Sequence, residues 1–311
     1  MQLTELSLAC EQFYGLKKPA FSLTPDTEFY VDLPSQKAAF DILVYALSGG
    51  EGFIKISGEV GTGKTLLCRR LLNRLSEQQI PTAYIPNPDL TPSALWRVIA
   101  RELQIDDQPL PDSQVQYCVQ QALLTMAADG KTLVLLIDEA QCMPRDTMEA
   151  LRLISNLETE RQKLIQIVLF GQPELDTLLQ NISLRQLRQR ITYSARLEPS
   201  NNSESLSVYL QQRLSAAGYR GMPLFQPGAL KALWRASQGI PRLVNILAAK
   251  TLLAGYGSGC HSLGYQHVMR AVADTESSFY QTAPLASEWH SAVPYHWYGI
   301  TLTACLLLVM L

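Results

Sequence analysis

The stretch Gly58-Glu-Val-Gly-Thr-Gly-Lys-Thr65 lies between a short apolar run, residues 52–57, and a segment with helical spacing, residues 66–72. A strand, a glycine-rich loop and a helix in this order are the context in which G-x-x-x-x-G-K-[ST] forms a phosphate-binding loop. The backbone N–H groups of such a loop and the positive end of the next helix attract a triphosphate. The stretch therefore predicts a nucleotide-binding site.

The residue types of this loop indicate separate roles in binding. Lys64 is expected to reach the β- and γ-phosphates, and the Thr65 hydroxyl is expected to bind Mg²⁺. The rest of the loop is expected to surround the phosphates, and these residues are Gly58, Glu59, Val60, Gly61, Thr62, Gly63 and Leu66.

A second motif follows a run of Leu, Val and Ile residues at positions 133–137, which predicts a strand buried on both faces. Its end presents Asp138 and Glu139. In this context Asp138 is expected to hold Mg²⁺, as a Walker-B acid does, and Glu139 to deprotonate the attacking water. The alternative is an acidic pair that caps the helix beginning near Pro144. The phosphate-binding loop upstream favours the catalytic interpretation.

Two further sets of polar residues are candidates for contacts to the γ-phosphate. Gln172 follows the apolar run 164–170, so it is expected at the tip of another strand, although it could be an ordinary turn residue. Arg185, Arg188 and Arg190 follow within a few residues of one another. A guanidinium there could stabilise phosphoryl charge on a neighbouring subunit, with Arg188 and Arg190 favoured, or the three could form a solvated helix face.

The order of elements predicts the fold class. Five apolar runs alternate with helical segments up to residue 198, which indicates an α/β, doubly wound parallel sheet with its ligand at the carboxyl ends of the strands. Residues 199–276 have helical patterns only and predict a helical domain. Arg242 follows Pro241 at the start of one of these helices, where the alternative to a nucleotide contact is a salt bridge.

The two ends of the chain differ from the middle. Residues 1–34 contain Pro19, Pro25 and several aromatics, and are expected to form an extended, turn-rich arm that packs on the core or lies loosely on the surface. Residues 277–296 suit a linker. Residues 297–311 are apolar, which predicts a membrane segment. As a helix they would span only ~22 Å, less than the ~30 Å hydrocarbon core of a bilayer, so a hydrophobic docking helix is the alternative.

Composition limits the classes of function. The net charge is −2, which gives no global attraction to nucleic acid. The six cysteines form no C-x-x-C pair and indicate a reducing compartment. The N-terminus lacks the pattern of a signal peptide, so the bulk of the chain is expected in the cytoplasm.

Four blocks carry a resemblance to a known family: residues 58–65, Leu-Leu-Ile-Asp138-Glu139-Ala-Gln141, Leu169-Phe-Gly-Gln-Pro-Glu-Leu175 and Gly239-Ile-Pro-Arg242-Leu-Val-Asn245. In this order they resemble the ExeA/GspA-type AAA+ ATPases of general secretion. Two N-terminal stretches, residues 19–25 and 50–60, look closest to the MSHA pilus-biogenesis (MshM) branch. The resemblance covers about residues 12–275.

This resemblance implies a P-loop AAA+ domain at 35–198 with a helical lid at 199–276, using ATP and Mg²⁺. It implies Gln172 as a sensor-1-like residue, Arg188 or Arg190 as an arginine finger, and Arg242 as sensor 2. It also implies a homo-oligomer that works with pilus or secretion assembly proteins at the bacterial inner membrane. Two other classes stay open, namely a DNA-handling ATPase and a nucleotide-dependent scaffold that hydrolyses little ATP.

The sequence departs from the family pattern at two places. Family members often carry His-x-Glu-Ala where this chain has Gln36-Lys-Ala-Ala39, so a contact near the adenine is not carried over from the resemblance. ExeA-type proteins also continue past a transmembrane helix into a peptidoglycan-binding domain, a part that this resemblance does not cover, so cell-wall binding is not inferred.

Overall fold

A five-stranded parallel sheet organises the first two thirds of the chain. The computed structural model describes residues 3–24, 29–108, 110–160 and 162–279. The strands are β1 (Phe53–Gly58), β2 (Thr82–Ile85), β3 (Leu133–Ile137), β4 (Ile165–Gly171) and β5 (Tyr193–Leu197). Their order across the sheet is β2-β3-β4-β1-β5, and every neighbouring pair is parallel. The predicted parallel α/β sheet is confirmed.

Helices cover both faces of this sheet. They are α2 (Pro34–Ser48), α3 (Lys64–Glu77), α4 (Pro92–Glu102), α5 (Asp112–Ala128), α6 (Arg145–Ile154), α7 (Pro173–Leu179) and α8 (Arg185–Arg190). Successive residues of β3 enter different cores, since Leu133 and Leu135 join one apolar cluster and Val134 and Leu136 join another. This is why the strand is an unbroken run of apolar residues rather than an alternating one.

The C-terminal helices form a third apolar core. They are α9 (Ser203–Ala216), α10 (Pro227–Ser237), α11 (Pro241–Gly257) and α12 (Tyr265–Ala273). Their buried residues cluster with one another and with residues of the N-terminal arm, including Tyr14 and Phe21. We refer to these four helices as the helical unit.

The N-terminal arm differs from its prediction. Residues Leu3–Phe13 form a helix, α1, where an extended segment was expected. The prolines that suggested extended structure lie after this helix, from Pro19 onward, so they do not interrupt it. Beyond α1, the Tyr14 hydroxyl donates to the carbonyl oxygens of Leu252 (3.0 Å) and Cys260 (3.2 Å). The arm therefore packs on the helical unit.

The sequence predicts a membrane segment near the C-terminus, at residues 297–311. Among the helices of the described ranges, none is both long and apolar enough to cross a bilayer. The apolar segment 297–311 and most of the predicted linker 277–296 lie outside the described residues.

Candidate nucleotide-binding site

The glycine loop joins β1 to α3 by a tight turn. Gly61 and Gly63 have φ angles of +83° and +98°, which residues with a Cβ rarely adopt. A Cβ at Gly61 would lie 2.6 Å from the Cβ of Arg242, so the loop and α11 are in close contact. Thr62 is buried, and its hydroxyl donates to the carbonyl oxygen of Glu59 at 2.8 Å. Glycine is therefore required both for the turn and for the approach of α11.

Lys64 begins α3 and is only 5% exposed. Its ammonium donates to the carbonyl oxygens of Gly58 (2.7 Å) and Glu59 (3.0 Å). Burial lowers the pKa of Lys64, and the nearby carboxylates of Glu139 and Asp138 oppose that shift. A cation held inside the loop in this way is suited to an anionic group that enters the turn.

Thr65 and Asp138 bring two oxygen atoms together at the end of β3. The Thr65 hydroxyl donates to Asp138 Oδ2 at 2.8 Å, and the carboxyl is 3% exposed. Burial raises the pKa of Asp138, while hydrogen bonds from Thr65 and the Glu139 backbone lower it. A hydroxyl and a carboxylate are the hard oxygen donors that Mg²⁺ prefers, so this pair fits the metal.

Mg²⁺ beside a nucleotide needs only one or two carboxylates, because phosphate oxygens and water complete its shell. Within the described ranges, no group of three or more His, Cys, Asp or Glu residues could hold a metal ion. The Thr65–Asp138 pair is compatible with a metal that is bound together with a triphosphate.

Glu139 has a left-handed backbone, with φ +51°. Its Oε2 atom accepts hydrogen bonds from Gln172 Nε2 (3.0 Å) and Gln141 Nε2 (2.5 Å). Burial raises the pKa of Glu139, but the hydrogen bonds from Gln172 and Gln141 and the charge of Lys64 outweigh burial and hold the pKa below its ordinary value. The group is therefore an ionised carboxylate at neutral pH, which a general base requires.

Gln141 was not among the predicted site residues, although it belongs to one of the quoted motif blocks. It lies in the 3₁₀ turn Ala140–Cys142, directly after the acidic pair. Its Oε1 accepts from the backbone N–H of Gln172 at 3.0 Å. The one signal in the sequence was its position two residues after Glu139.

A cavity of about 300 Å³ connects these groups. From the sheet side it is lined by loop residues with Lys64, Thr65, Glu139 and Gln172, and from the helical unit by Arg242. The backbone N–H of Arg242 also donates to the Gly61 carbonyl oxygen at 3.1 Å. The structure thus brings together residues predicted from four separate motifs.

The opposite wall of the cavity was not predicted. It is formed by the arm and the helical unit, and its residues include Ser22, Phe29, Tyr209, Arg213 and Asn245. The buried Arg213 donates to the arm carbonyl oxygens of Ala20 (2.8 Å) and Ser22 (3.2 Å). The Tyr209 hydroxyl donates to Asn245 at 2.9 Å. Asn245 ends one of the quoted motif blocks, but no local pattern marks the others as site residues, because their contacts join distant parts of the chain.

Gln36 lies beside the loop. It is buried, it lines the cavity, and its Nε2 donates to the Thr62 carbonyl oxygen at 2.8 Å. A Cβ at Gly63 would lie 2.6 Å from the same nitrogen. The residue that departs from the family pattern thus supports the phosphate loop directly.

The predicted arginines lie elsewhere. Arg185 and Arg188 are exposed on α8, and none of the three lines the cavity. Arg190 donates from Nη1 to the Ser155 hydroxyl at 2.9 Å. The structure does not bring them to this chain's own site, and a role on a neighbouring subunit stays a prediction.

Comparison with known proteins agrees with this geometry. Residues 47–179, which include the loop, the acidic pair and Gln172, match the family model described as "AAA domain". This part of the chain is an AAA domain. The chain is also related to General secretion pathway protein A of Aeromonas hydrophila, with 41% identity over 257 residues. The matched region is 81% of this chain but only 46% of that relative's length.

Solved structures resemble the fold. The Aeropyrum pernix ORC2 protein in ADPNP–ADP complexes aligns with a TM-score of 0.60 and 20% identity, over 86% of this chain and 73% of that one. The RuvB Holliday junction branch migration motor of Thermotoga maritima aligns with a TM-score of 0.52 and 18% identity, over 85% and 73% of the two chains. At these identities the similarity concerns the fold, so it does not favour a DNA-handling role for this chain.

Proposed function

We propose that this AAA domain binds ATP with Mg²⁺ and hydrolyses it. The observation that carries the proposal is the single cavity that Lys64, Thr65, Glu139 and Arg242 line together. A phosphate loop alone would support binding only. The cavity is also lined by a buried lysine, an ionised carboxylate and the Thr65 hydroxyl, which is hydrogen-bonded to Asp138, and these groups support hydrolysis.

Each side chain has a stated part in this chemistry. Lys64 and the loop N–H groups hold the phosphates, and Glu139 accepts a proton from the attacking water. Thr65 and Asp138 would hold Mg²⁺, which neutralises charge on the phosphate oxygens. Gln172, already hydrogen-bonded to Glu139, helps to orient the water, and Arg242 stabilises charge from the side of the helical unit.

Two further parts of the mechanism involve larger units. We treat residues 35–198 as the nucleotide-binding domain and residues 199–276 as its lid, because the start of α11 contacts the phosphate loop directly. The exposed Arg188 is suited to act on the nucleotide of a neighbouring copy, with Arg190 as the second candidate. The chain would therefore act as a homo-oligomer.

For the biological role, we propose that the ATPase serves assembly of a type IV (MSHA-like) pilus or a type II secretion machine. The relation to General secretion pathway protein A supports a role at the bacterial envelope. The apolar segment 297–311 would attach the cytoplasmic ATPase to the inner membrane, and its partners would be envelope assembly proteins. A nucleic acid is not among the proposed partners, and the net charge of −2 agrees with that.

Phosphate release from ATP by the purified chain, with and without Mg²⁺, tests the enzymatic proposal. Glu139→Gln should retain ATP binding and lose about 100-fold or more in rate, because the base is removed. Lys64→Ala should lose binding. Lys231→Ala, at an exposed position of α10, is the matched control. Equal rates for wild type and Glu139→Gln would show that this carboxylate is not the base, and Mg²⁺-independent rates would contradict the metal assignment.

The envelope role needs a test in the native host. Cells whose only copy is Lys64→Ala should assemble few surface pili or secrete little protein, whereas Lys231→Ala cells should resemble wild type. Normal piliation and secretion in the Lys64→Ala cells would contradict the proposed envelope role. The proposal that the wild-type chain hydrolyses ATP would not be affected.

A further inference from the structure

The Gln141 side chain connects two parts of the site through both ends of its amide. Its Nε2 donates to Glu139 Oε2 at 2.5 Å, and its Oε1 accepts from the backbone N–H of Gln172 at 3.0 Å. The first contact lies at the end of β3, and the second lies at the turn between β4 and α7. Gln141 thus spans the gap between these two neighbouring strands.

The direction of the amide follows from its partners. A backbone N–H can only donate, so the atom of Gln141 that faces Gln172 N must be the oxygen. The nitrogen then has to face Glu139, which as an ionised carboxylate can only accept. A flipped amide would place two donors together and two acceptors together. The arrangement of hydrogen bonds is therefore fixed by chemistry.

The same contacts restrict the Glu139 carboxylate. Two amide groups, those of Gln141 and Gln172, donate to the same oxygen, Oε2. The backbone of Glu139 is anchored as well, because its N–H donates to Asp138 Oδ1 at 2.9 Å. A free glutamate side chain would lose rotamer entropy on being fixed. Here that cost is met on folding, before any substrate binds.

The Gln141 amide oxygen lies close to the end of β4. A Cβ added at Gly171 would lie 3.2 Å from Gln141 Oε1 and 2.6 Å from the side chain of Leu175. Glycine at the end of β4 therefore allows the amide oxygen to reach the Gln172 N–H. A movement of the β4–α7 turn would displace Gln141, and with it the carboxylate that Gln141 contacts.

We propose that Gln141 is a positioning residue, which directs the Glu139 carboxylate and couples it to the backbone at Gln172. The inference rests on the proposed ATP hydrolysis. It adds that the backbone at the end of β4, through Gln141, determines the position of the Glu139 carboxylate. Gln141 touches the base and the strand tip rather than the phosphates. Its loss should therefore slow turnover without weakening ATP binding.

Two substitutions test the hydrogen bond that Gln141 donates to Glu139. Gln141→Leu removes both hydrogen bonds at similar size, whereas Gln141→Glu can still accept from the Gln172 N–H but cannot donate to Glu139. Both should lower kcat about tenfold with KM for ATP within about twofold of wild type, a magnitude typical of residues that orient a catalytic group. Gln114→Leu, at an exposed position of α5, is the control and should leave kcat unchanged.

A double substitution makes the test specific. In a Glu139→Gln background, adding Gln141→Leu should cause no further loss of kcat, because the group that Gln141 positions is already absent. Thermal unfolding of each variant checks that the fold is kept, which is expected because Gln141 is only half-buried.

The outcomes are distinguishable. If wild type hydrolyses ATP but Gln141→Leu retains kcat, or if its loss persists fully in the Glu139→Gln background, the role of Gln141 is overturned and the proposed function stands. If wild type releases no phosphate, the proposed hydrolysis fails, and the positioning role fails with it.

Discussion

The backbone N–H of Arg242 donates a hydrogen bond to the carbonyl oxygen of Gly61, at 3.1 Å. The first turn of α11 is thus attached to the middle of the phosphate loop by the main chain. This contact does not depend on the arginine side chain. The loop that is proposed to bind phosphate and the start of the helical unit's α11 are therefore held together by a main-chain hydrogen bond.

Gly61→Ala should disrupt this contact. The new Cβ would need a left-handed backbone, which costs about 1–2 kcal/mol, and would lie 2.6 Å from the Arg242 Cβ. Gly130→Ala is a matched control, because Gly130 has φ +71° with nothing within 4 Å. Both variants should lose stability, but only Gly61→Ala should weaken ATP binding, by about tenfold or more in calorimetry. Similar ATP affinities for the two variants would contradict the importance of the contact.

Arg242→Met should lower affinity for ATP more than for ADP. If the guanidinium contacts the γ-phosphate, as proposed, its loss removes a charged hydrogen bond of about 1.5–3 kcal/mol, or roughly tenfold to hundredfold in affinity. Arg235→Met, at an exposed position of α10, is the control. An equal loss for ATP and ADP would exclude a contact specific to the γ-phosphate.

Arg188→Ala should be rescued by mixing with a second inactive variant. Lys64→Ala subunits cannot bind ATP but keep Arg188, so in a mixed oligomer they can supply the arginine to an Arg188→Ala neighbour. We expect each variant alone to be nearly inactive and the mixture to recover part of the phosphate release. If Arg188→Ala alone hydrolyses ATP at nearly the wild-type rate, Arg188 is not the arginine that acts on the neighbouring nucleotide, and Arg190 is the next candidate.

Tyr14→Phe should lower stability without affecting catalysis. The Tyr14 hydroxyl is hydrogen-bonded to Leu252 and Cys260, and losing it costs about 1 kcal/mol. The expected fall in Tm is about 2–4 °C. Tyr117→Phe is the control, since Tyr117 is exposed on α5. An unchanged Tm for Tyr14→Phe would show that the arm adds little to the helical unit.

Flotation with cell membranes tests the proposed attachment. The full chain should float with membranes, and a chain ending at Tyr280 should stay in the soluble fraction, because the apolar residues 297–311 are then absent. If both chains remain soluble, the segment is not an anchor.

The sheet and the phosphate loop could be predicted because their evidence is local. The residues of β3 form one uninterrupted apolar run, and the glycines, Lys64 and Thr65 of the loop follow β1 directly. The carboxyl ends of parallel strands meet at one edge, so Asp138, Glu139 and Gln172 could be expected near the loop.

The far wall of the cavity could not be predicted, because its contacts are long-range. Arg213 and Ala20 are 193 residues apart, and no periodic pattern connects them. The helix α1 was missed because the prolines after it dominated the interpretation of the arm. Gln141 was missed as a site residue because its importance depends on the Gln172 backbone, which only the assembled sheet brings close.

The packing of the arm on the helical unit has a mechanical consequence. The chain crosses from that unit to the sheet between Leu33 and Ser35, and it crosses back after Leu197. The two crossings are fastened together, since the Ser35 hydroxyl donates to the Glu198 carbonyl oxygen at 2.9 Å. Any movement of the helical unit relative to the sheet would change the backbone at both crossings. The Ser35–Glu198 hydrogen bond keeps the two crossings side by side, so a change in the backbone at one crossing is passed directly to the other.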